Sequence, residues 1–168
     1  MESKQELRLY AKGIRRSANL TNAEEIIIKK IRTLDIYKKA NNIMIFYPMK
    51  YEINLLELLN DDKNFYFPKV QEDKLLVCPN NGKFKKSDFG VMEPLSDEVS
   101  PNTLDLIFVP ALMVDENNYR LGYGGGYYDR FLAKYPNIYT IVPMIKELVC
   151  DKLPKENYDV KVDCVITD

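Results

Sequence analysis

The run Arg120-Leu-Gly-Tyr-Gly-Gly-Gly-Tyr-Tyr-Asp129 constrains this chain more than any other segment. Four of the seven glycines, Gly122, Gly124, Gly125 and Gly126, fall inside it. Upstream lies the apolar stretch Leu106-Ile-Phe-Val109, closed by Pro110, and its composition predicts a strand. Downstream, Tyr127 to Lys134 reads as a helix with Pro136 beyond its end. A strand, a glycine loop and a helix start in that order make a place to hold phosphate. Glycine takes positive φ and lets backbone approach a ligand without a Cβ in the way. Successive N–H groups, with the positive end of a helix, then receive the anion. The run matches neither the dinucleotide fingerprint nor the P-loop pattern, because no Gly-Lys-Ser/Thr closes it. A flexible turn is the plain alternative. Against it stand Arg120 before the glycines, Asp129 and Arg130 after them, and three interleaved tyrosines. The loop also follows the carboxyl end of a predicted strand, where α/β proteins tend to bind ligands.

Composition narrows the chemistry. The chain has no histidine, which removes the commonest general base and transition-metal ligand. Any reaction must use Asp, Glu, Lys, Arg, Tyr or Cys. Cys78, Cys150 and Cys164 are an odd number with no Cys-x-x-Cys pair, so a reducing, cytoplasmic setting is expected rather than a disulfide framework. The N-terminal residues are polar and lack the apolar core of a signal peptide. The longest apolar stretch, Leu106 to Val114, is too short to span a bilayer. A net charge of −1 gives no bulk field for nucleic acid or an anionic membrane, so an anion site must be built locally. At 168 residues, 46% of them apolar, one domain over 1–168 is expected.

Along the chain, Ser3 to Glu6 reads as a capping box opening a helix with Leu7, Tyr10, Ala11, Ile14 and Ala18 on its apolar face. A second box, Thr21 to Glu24, opens a helix carrying Ile27, Ile31, Leu34 and Tyr37. Strands are expected over Ile43–Tyr47, Asn64–Phe67, Leu75–Cys78, Asp105–Val109, Ile138–Val142 and Lys161–Thr167. Asn54 is a cap for a short helix, Leu55 to Leu59. Residues 79–104 read as loop-rich, broken by Pro79, Gly82, Gly90, Pro94 and Pro101. Helices alternating with strands argue for an α/β layered fold.

Two further groupings bear on a site. Lys4 and Arg8 stand at i and i+4 and share a helix face, with Lys12 and Arg15 continuing the row. They read as a solvated basic edge or, beside an anion loop, as a phosphate clamp. Glu52 follows a buried strand and is either a loop residue or an acceptor for a ligand's N–H groups. Asp129 and Asp163 are capping carboxylates or Mg²⁺ ligands, since Mg²⁺ prefers hard oxygen and accompanies phosphate.

These residues carry a resemblance to the 5-formyltetrahydrofolate cyclo-ligase, or methenyltetrahydrofolate synthetase, family. It runs nearly end to end: Lys4-Gln-Glu-Leu-Arg8, Tyr47-Pro48, Glu52, Phe89-Gly-Val-Met-Glu93-Pro94, Val109-Pro110, Asp115 and the central run through Arg130. Leu153-Pro154, Asp159, Val162-Asp163 and Ile166-Thr167 complete it. The chain departs from the pattern at Ala111, where glycine is usual, and at Tyr158, where histidine is common. The segment Pro143 to Glu147 lacks a glutamine often found in that region.

The resemblance implies a three-layer α/β/α domain around one mainly parallel or mixed sheet. It implies ATP-dependent cyclisation of 5-formyltetrahydrofolate to 5,10-methenyltetrahydrofolate through a phosphorylated formyl intermediate. Lys4, Arg8, Arg120, Leu121, Gly122, Tyr123, Gly124, Gly125, Gly126, Tyr127 and Tyr128 would bind ATP. Tyr47, Glu52, Tyr123, Gly124, Gly125, Gly126 and Tyr127 would contact the folate. Arg120, Tyr127 and Asp129 would be catalytic, and Asp129 with Asp163 would hold Mg²⁺. A cytoplasmic monomer with a folate substrate and no nucleic-acid or membrane partner is expected. Two other functions fit parts of the sequence: a folate binder without turnover, and a single-strand module stacking bases on the Gly/Tyr loop.

Overall fold

The computed structural model describes residues 2–168. Three helices, α1 (Lys4–Ser17), α2 (Leu20–Thr33) and α3 (Asp35–Lys39), lead into β1 (Asn42–Met44). Then come β2 (Asn64–Gln71), β3 (Lys74–Pro79), β4 (Phe84–Lys86), β5 (Met92–Pro94), β6 (Leu106–Phe108), β7 (Met113–Asp115) and β8 (Arg120–Leu121). The helix α4 (Tyr127–Lys134) is followed by β9 (Tyr139–Met144), β10 (Val149–Cys150) and β11 (Cys164–Thr167).

The main sheet has six strands in the order β11-β9-β6-β1-β2-β3. Every neighbouring pair is parallel except β2 and β3, an antiparallel edge hairpin. The sheet is therefore mixed and mostly parallel, as expected. Ile43 to Phe46 are buried without a break, and so are Leu106 to Val109. Successive strand residues face opposite sides, so unbroken burial means that both faces of the sheet are covered. Helical side chains supply cover: Leu7 and Ala11 of α1, Ile27 and Ile31 of α2, and Phe131 and Leu132 of α4 join the strands in one apolar cluster.

Local signals set most element starts. The capping box of α1 forms: Glu6 N donates to Ser3 Oγ at 3.2 Å, and Ser3 N donates to Glu6 Oε2 at 2.7 Å. The second box does not. The chain is extended at Ala18, so Asn19 caps α2 by accepting from Asn22 N, and Thr21 lies inside the helix. Glu24 instead accepts from Asn54 N at 2.9 Å. Leu34 is extended and breaks the helix, so Tyr37 sits in α3, still buried. Asn54 accepts from Leu56 N at the start of a 3-10 turn, Leu56–Asn60. The loop-rich stretch contains the β4–β5 hairpin.

A second, small sheet of order β10-β7-β8 positions the glycine loop. Val114 pairs with Arg120, and Met113 with Leu121, so the backbone is in ladder register up to the residue before the first glycine of the run.

Candidate active site

The glycine run leaves β8 and enters α4. Gly126 is the residue before α4, at φ 71°, and Gly124 is at φ 112°, so both positions demand the left-handed region. A Cβ at Gly122 would stand 2.9 Å from Arg120 Nη1. The loop thus lies directly on the Arg120 guanidinium.

A cavity of about 830 Å³ opens over this loop. The size suits a sizeable organic ligand. Its lining includes Lys4 and Arg8 of α1 and residues 120–129. Phe46, Tyr47, Glu52, Val70 and Phe89 also line it. Arg8 Nε donates to Gly122 O at 2.8 Å and so ties α1 to the loop. Lys4 Nζ donates to Asp159 Oδ2 at 2.7 Å and also contacts Glu156. Burial pulls the Lys4 ammonium down, but these two carboxylates outweigh it and leave it raised.

Arg120 is the buried cation beneath the glycine loop. Its residue is 8% exposed, Nη1 donates to Pro110 O at 3.2 Å, and Nη2 stands 3.7 Å from Asp129 Oδ1. Its Nε is buried with no partner among the described residues. The Tyr128 ring lies 5.5 Å from its guanidinium carbon. Burial lowers the pKa of Arg120, with Asp129 opposing. Burial also raises the Tyr128 phenol, with Arg120 opposing. The cation is held in a dry seat beneath the loop, where its field acts with little screening by water.

Also lining the cavity, Glu52 is 7% exposed. Met49 N donates to its Oε1 at 2.6 Å, and Tyr123 Oη donates to its Oε2 at 2.8 Å. Burial raises the Tyr123 phenol, and the neighbouring Glu52 charge adds to the rise. Tyr47 stands near Phe67 and Phe84, with ring centroids 6.2 Å and 5.2 Å away. This part of the lining joins apolar rings to a fixed carboxylate.

The structure brings together Lys4, Arg8, Tyr47, Glu52 and the whole stretch Arg120 to Asp129. Asp163 is the exception. Its Oδ2 accepts from Thr140 N at 2.9 Å and from Thr140 Oγ1 at 3.0 Å, and it does not line the cavity. The expected pairing of Asp129 with Asp163 is not assembled; Asp163 ties the approach to β11 onto β9. Among the described residues no group of three His, Cys, Asp or Glu is placed to hold a metal ion. Asp129 does face the cavity: Oδ1 accepts from Val160 N at 3.2 Å, and Oδ2 accepts no hydrogen bond from the described residues. Two features escaped the sequence reading. Arg15 is not on a solvated edge but 6% exposed, bonded to Tyr123 Oη at 3.1 Å and to Ala111 O. The acidic pair Glu156 and Asp159 closes on Lys4 from 152 and 155 residues away, which no local pattern could announce.

Fold and site define an α/β protein with a cationic glycine-loop cradle facing an aromatic-lined pocket. The model of the 5-formyltetrahydrofolate cyclo-ligase family matches residues 1–168, and the chain belongs to that family of ligases. A 5-formyltetrahydrofolate cyclo-ligase of Haemophilus influenzae is 29% identical over 180 residues, covering 95% of this chain and 94% of the relative. One from Mus musculus is 27% identical over 162 residues, covering 84% and 80%. The solved Aquifex aeolicus 5,10-methenyltetrahydrofolate synthetase superposes with a TM-score of 0.84 at 28% identity, covering 97% of this chain and 88% of that one. The family reaction is the ATP-dependent cyclisation of 5-formyltetrahydrofolate.

Proposed function

We propose that this cavity converts 5-formyltetrahydrofolate and ATP to 5,10-methenyltetrahydrofolate, ADP and phosphate. The observation that carries the reading is the apposition, in one cavity, of the cationic glycine loop and the buried Glu52 carboxylate. The triphosphate lies against the Gly122–Gly126 amides, with Lys4, Arg8 and Arg120 opposing its charge. The folate lies against Tyr47, Tyr123 and Tyr127, with pterin N–H groups donating to Glu52. The formyl oxygen attacks the γ-phosphorus and ADP leaves. The second folate nitrogen then attacks the activated carbon, phosphate departs with the former formyl oxygen, and that nitrogen gives up its proton. The amide oxygen is itself the nucleophile, which suits a chain without histidine. Catalysis is then positioning plus charge stabilisation by Arg120, with Tyr127 packed over the loop.

Asp129 fits Mg²⁺, because one of its oxygens is unpartnered in the cavity, and Mg²⁺ is commonly held by one or two carboxylates plus phosphate and water. The ion would supply charge neutralisation on the phosphates. Asp163, bonded through Oδ2 to Thr140, does not line this cavity and is left out of the assignment. The protein works in the cytoplasm, a reading supported by its three free cysteines, and its near-neutral charge gives no bulk field for nucleic acid or membrane. No helix among the described residues is long and apolar enough to cross a membrane.

The test mixes purified protein with 5-formyltetrahydrofolate, Mg²⁺ and ATP and follows the near-UV absorbance of the methenyl product. ATP-dependent product is expected, and none with a non-hydrolysable analogue. Folate binding without product would make this a non-catalytic binder. Neither binding nor product would refute the reading for this chain.

A further inference from the structure

We propose that Arg15 is a positioning residue for Glu52, acting from behind the cavity wall through the Tyr123 hydroxyl. The proposal rests on the reading of Glu52 as the folate-binding carboxylate. Arg15 sits on the stripe of α1 that buries Leu7 and Ala11, at a position where an apolar side chain would be the ordinary occupant. It is 6% exposed and does not line the cavity. A buried guanidinium is costly unless its donors are used, and here they are used in a directed way. One arm, Nη2, donates to the Ala111 carbonyl. The other, Nη1, donates to Tyr123 Oη at 3.1 Å.

A phenol hydroxyl can donate or accept, and its proton turns to suit its neighbours. An arginine cannot accept. With Arg15 donating into the Tyr123 oxygen, the phenol proton is left for Glu52 Oε2, 2.8 Å away. Glu52 Oε1 is pinned by Met49 N at 2.6 Å. The carboxylate is thus fixed at both oxygens, and each oxygen keeps lone-pair capacity for a ligand donor. A carboxylate set beforehand loses little freedom when it captures a ligand. Arg8, about two turns earlier on the same helix, holds the adjacent loop residue through Gly122 O. Arg8 thus holds the loop backbone, whereas Arg15 touches only the Tyr123 side-chain hydroxyl.

The proposal separates the two substrates. Arg15→Ala is expected to raise KM for 5-formyltetrahydrofolate by about tenfold, the scale of losing a charge-assisted hydrogen bond, with KM for ATP unchanged within about twofold. Tyr123→Phe should produce a similar folate effect. In the Tyr123→Phe background, Arg15→Ala should add less than about twofold, because Arg15 acts only through that hydroxyl. Arg15→Lys should be intermediate, since an ammonium cannot reproduce the two-armed fork. If Arg15→Ala does not fold, the same cycle run with Arg15→Lys keeps the test. Effects of Arg15 and Tyr123 that multiply, an equal rise in KM for ATP, or an unchanged folate KM would each overturn the proposal. Titration of 5-formyltetrahydrofolate into the wild type and Glu52→Gln separates the two levels of argument. Loss of affinity in Glu52→Gln with none in Arg15→Ala defeats only the positioning role. Wild-type affinity that Glu52→Gln leaves intact defeats the folate reading beneath it.

Discussion

Arg120 and Asp129 bracket the glycine loop and face each other beneath it, Nη2 to Oδ1 at 3.7 Å, with the arginine side chain 4% exposed. The separation is too long for a hydrogen bond, and Arg120 Nε has no partner at all among the described residues. The pair is a buried cation short of counter-charge, which costs stability and is worth keeping only if an anion completes it.

Replacing Arg120 therefore separates stability from function. Arg120→Met is expected to lower kcat by roughly 10²–10³-fold, corresponding to about 3–4 kcal/mol at the transition state. Its melting temperature should change by no more than about 2–4 °C, because the desolvation cost removed offsets the lost Pro110 O hydrogen bond and the loose pair with Asp129. Steady-state kinetics beside thermal melts check both halves. Turnover near wild type would remove Arg120 from the phosphate site.

Asp129→Ala is expected to reduce turnover and to raise the Mg²⁺ concentration giving half-maximal rate, with the fold retained. A Mg²⁺ titration at saturating ATP measures it. Asp163→Asn should leave that titration unchanged and lower the melting temperature instead, because its carboxylate serves Thr140. An Mg²⁺ dependence altered in Asp163→Asn and untouched in Asp129→Ala would reverse the assignment.

What the sequence could disclose follows from the range of each signal. The glycine loop was legible because its constraint is local: left-handed backbone at Gly124 and Gly126 falls on the residue type that accepts it. The α1 capping box and the unbroken apolar runs of β1 and β6 are equally local, and they gave the layered fold. Arg15 was misread because its charge outweighed its position on the period of Leu7 and Ala11. The bonding of Asp163 to Thr140 was not legible, because Thr140 lies 23 residues away on a neighbouring strand. The small β10-β7-β8 sheet went unseen because strands of two or three residues show no periodicity.

Acid stability should depend on the ion pair that ties α1 to the segment after β10. Burial raises the Asp159 carboxyl, but the hydrogen bond from Lys4 overrides it and leaves the group below its ordinary value. A carboxyl lowered by folding contributes stability that is present above its unfolded value, about 4, and is lost as pH falls through the folded one. Lys4, raised by folding, contributes below its ordinary value and loses that contribution as pH rises past the folded one. Lys4→Met is expected to cost roughly 1 kcal/mol at neutral pH, a fall of about 2–4 °C in melting temperature. Its melting curve should also be flatter from pH 5 down to 2. A Lys4→Met protein that follows the wild-type acid limb would show that the pair is not what titrates there.

Glu52 offers the sharpest test of which part of the cavity holds which substrate. Glu52→Gln keeps the shape of the side chain but exchanges one acceptor oxygen for a donor amide. With a single acceptor oxygen, the amide must set its NH2 against either Met49 N or Tyr123 Oη, and it no longer offers a full charge to pterin N–H groups. Folate affinity is expected to fall by about 1.5–3 kcal/mol, the scale of a hydrogen bond to a charged group. In the proposed arrangement the triphosphate lies against the loop amides rather than Glu52, so the KM for ATP should stay within about twofold. Calorimetric titration of 5-formyltetrahydrofolate, with ATP kinetics measured on the same preparation, reads both. A variant that loses ATP affinity and keeps folate affinity would place the two substrates the other way round in the cavity.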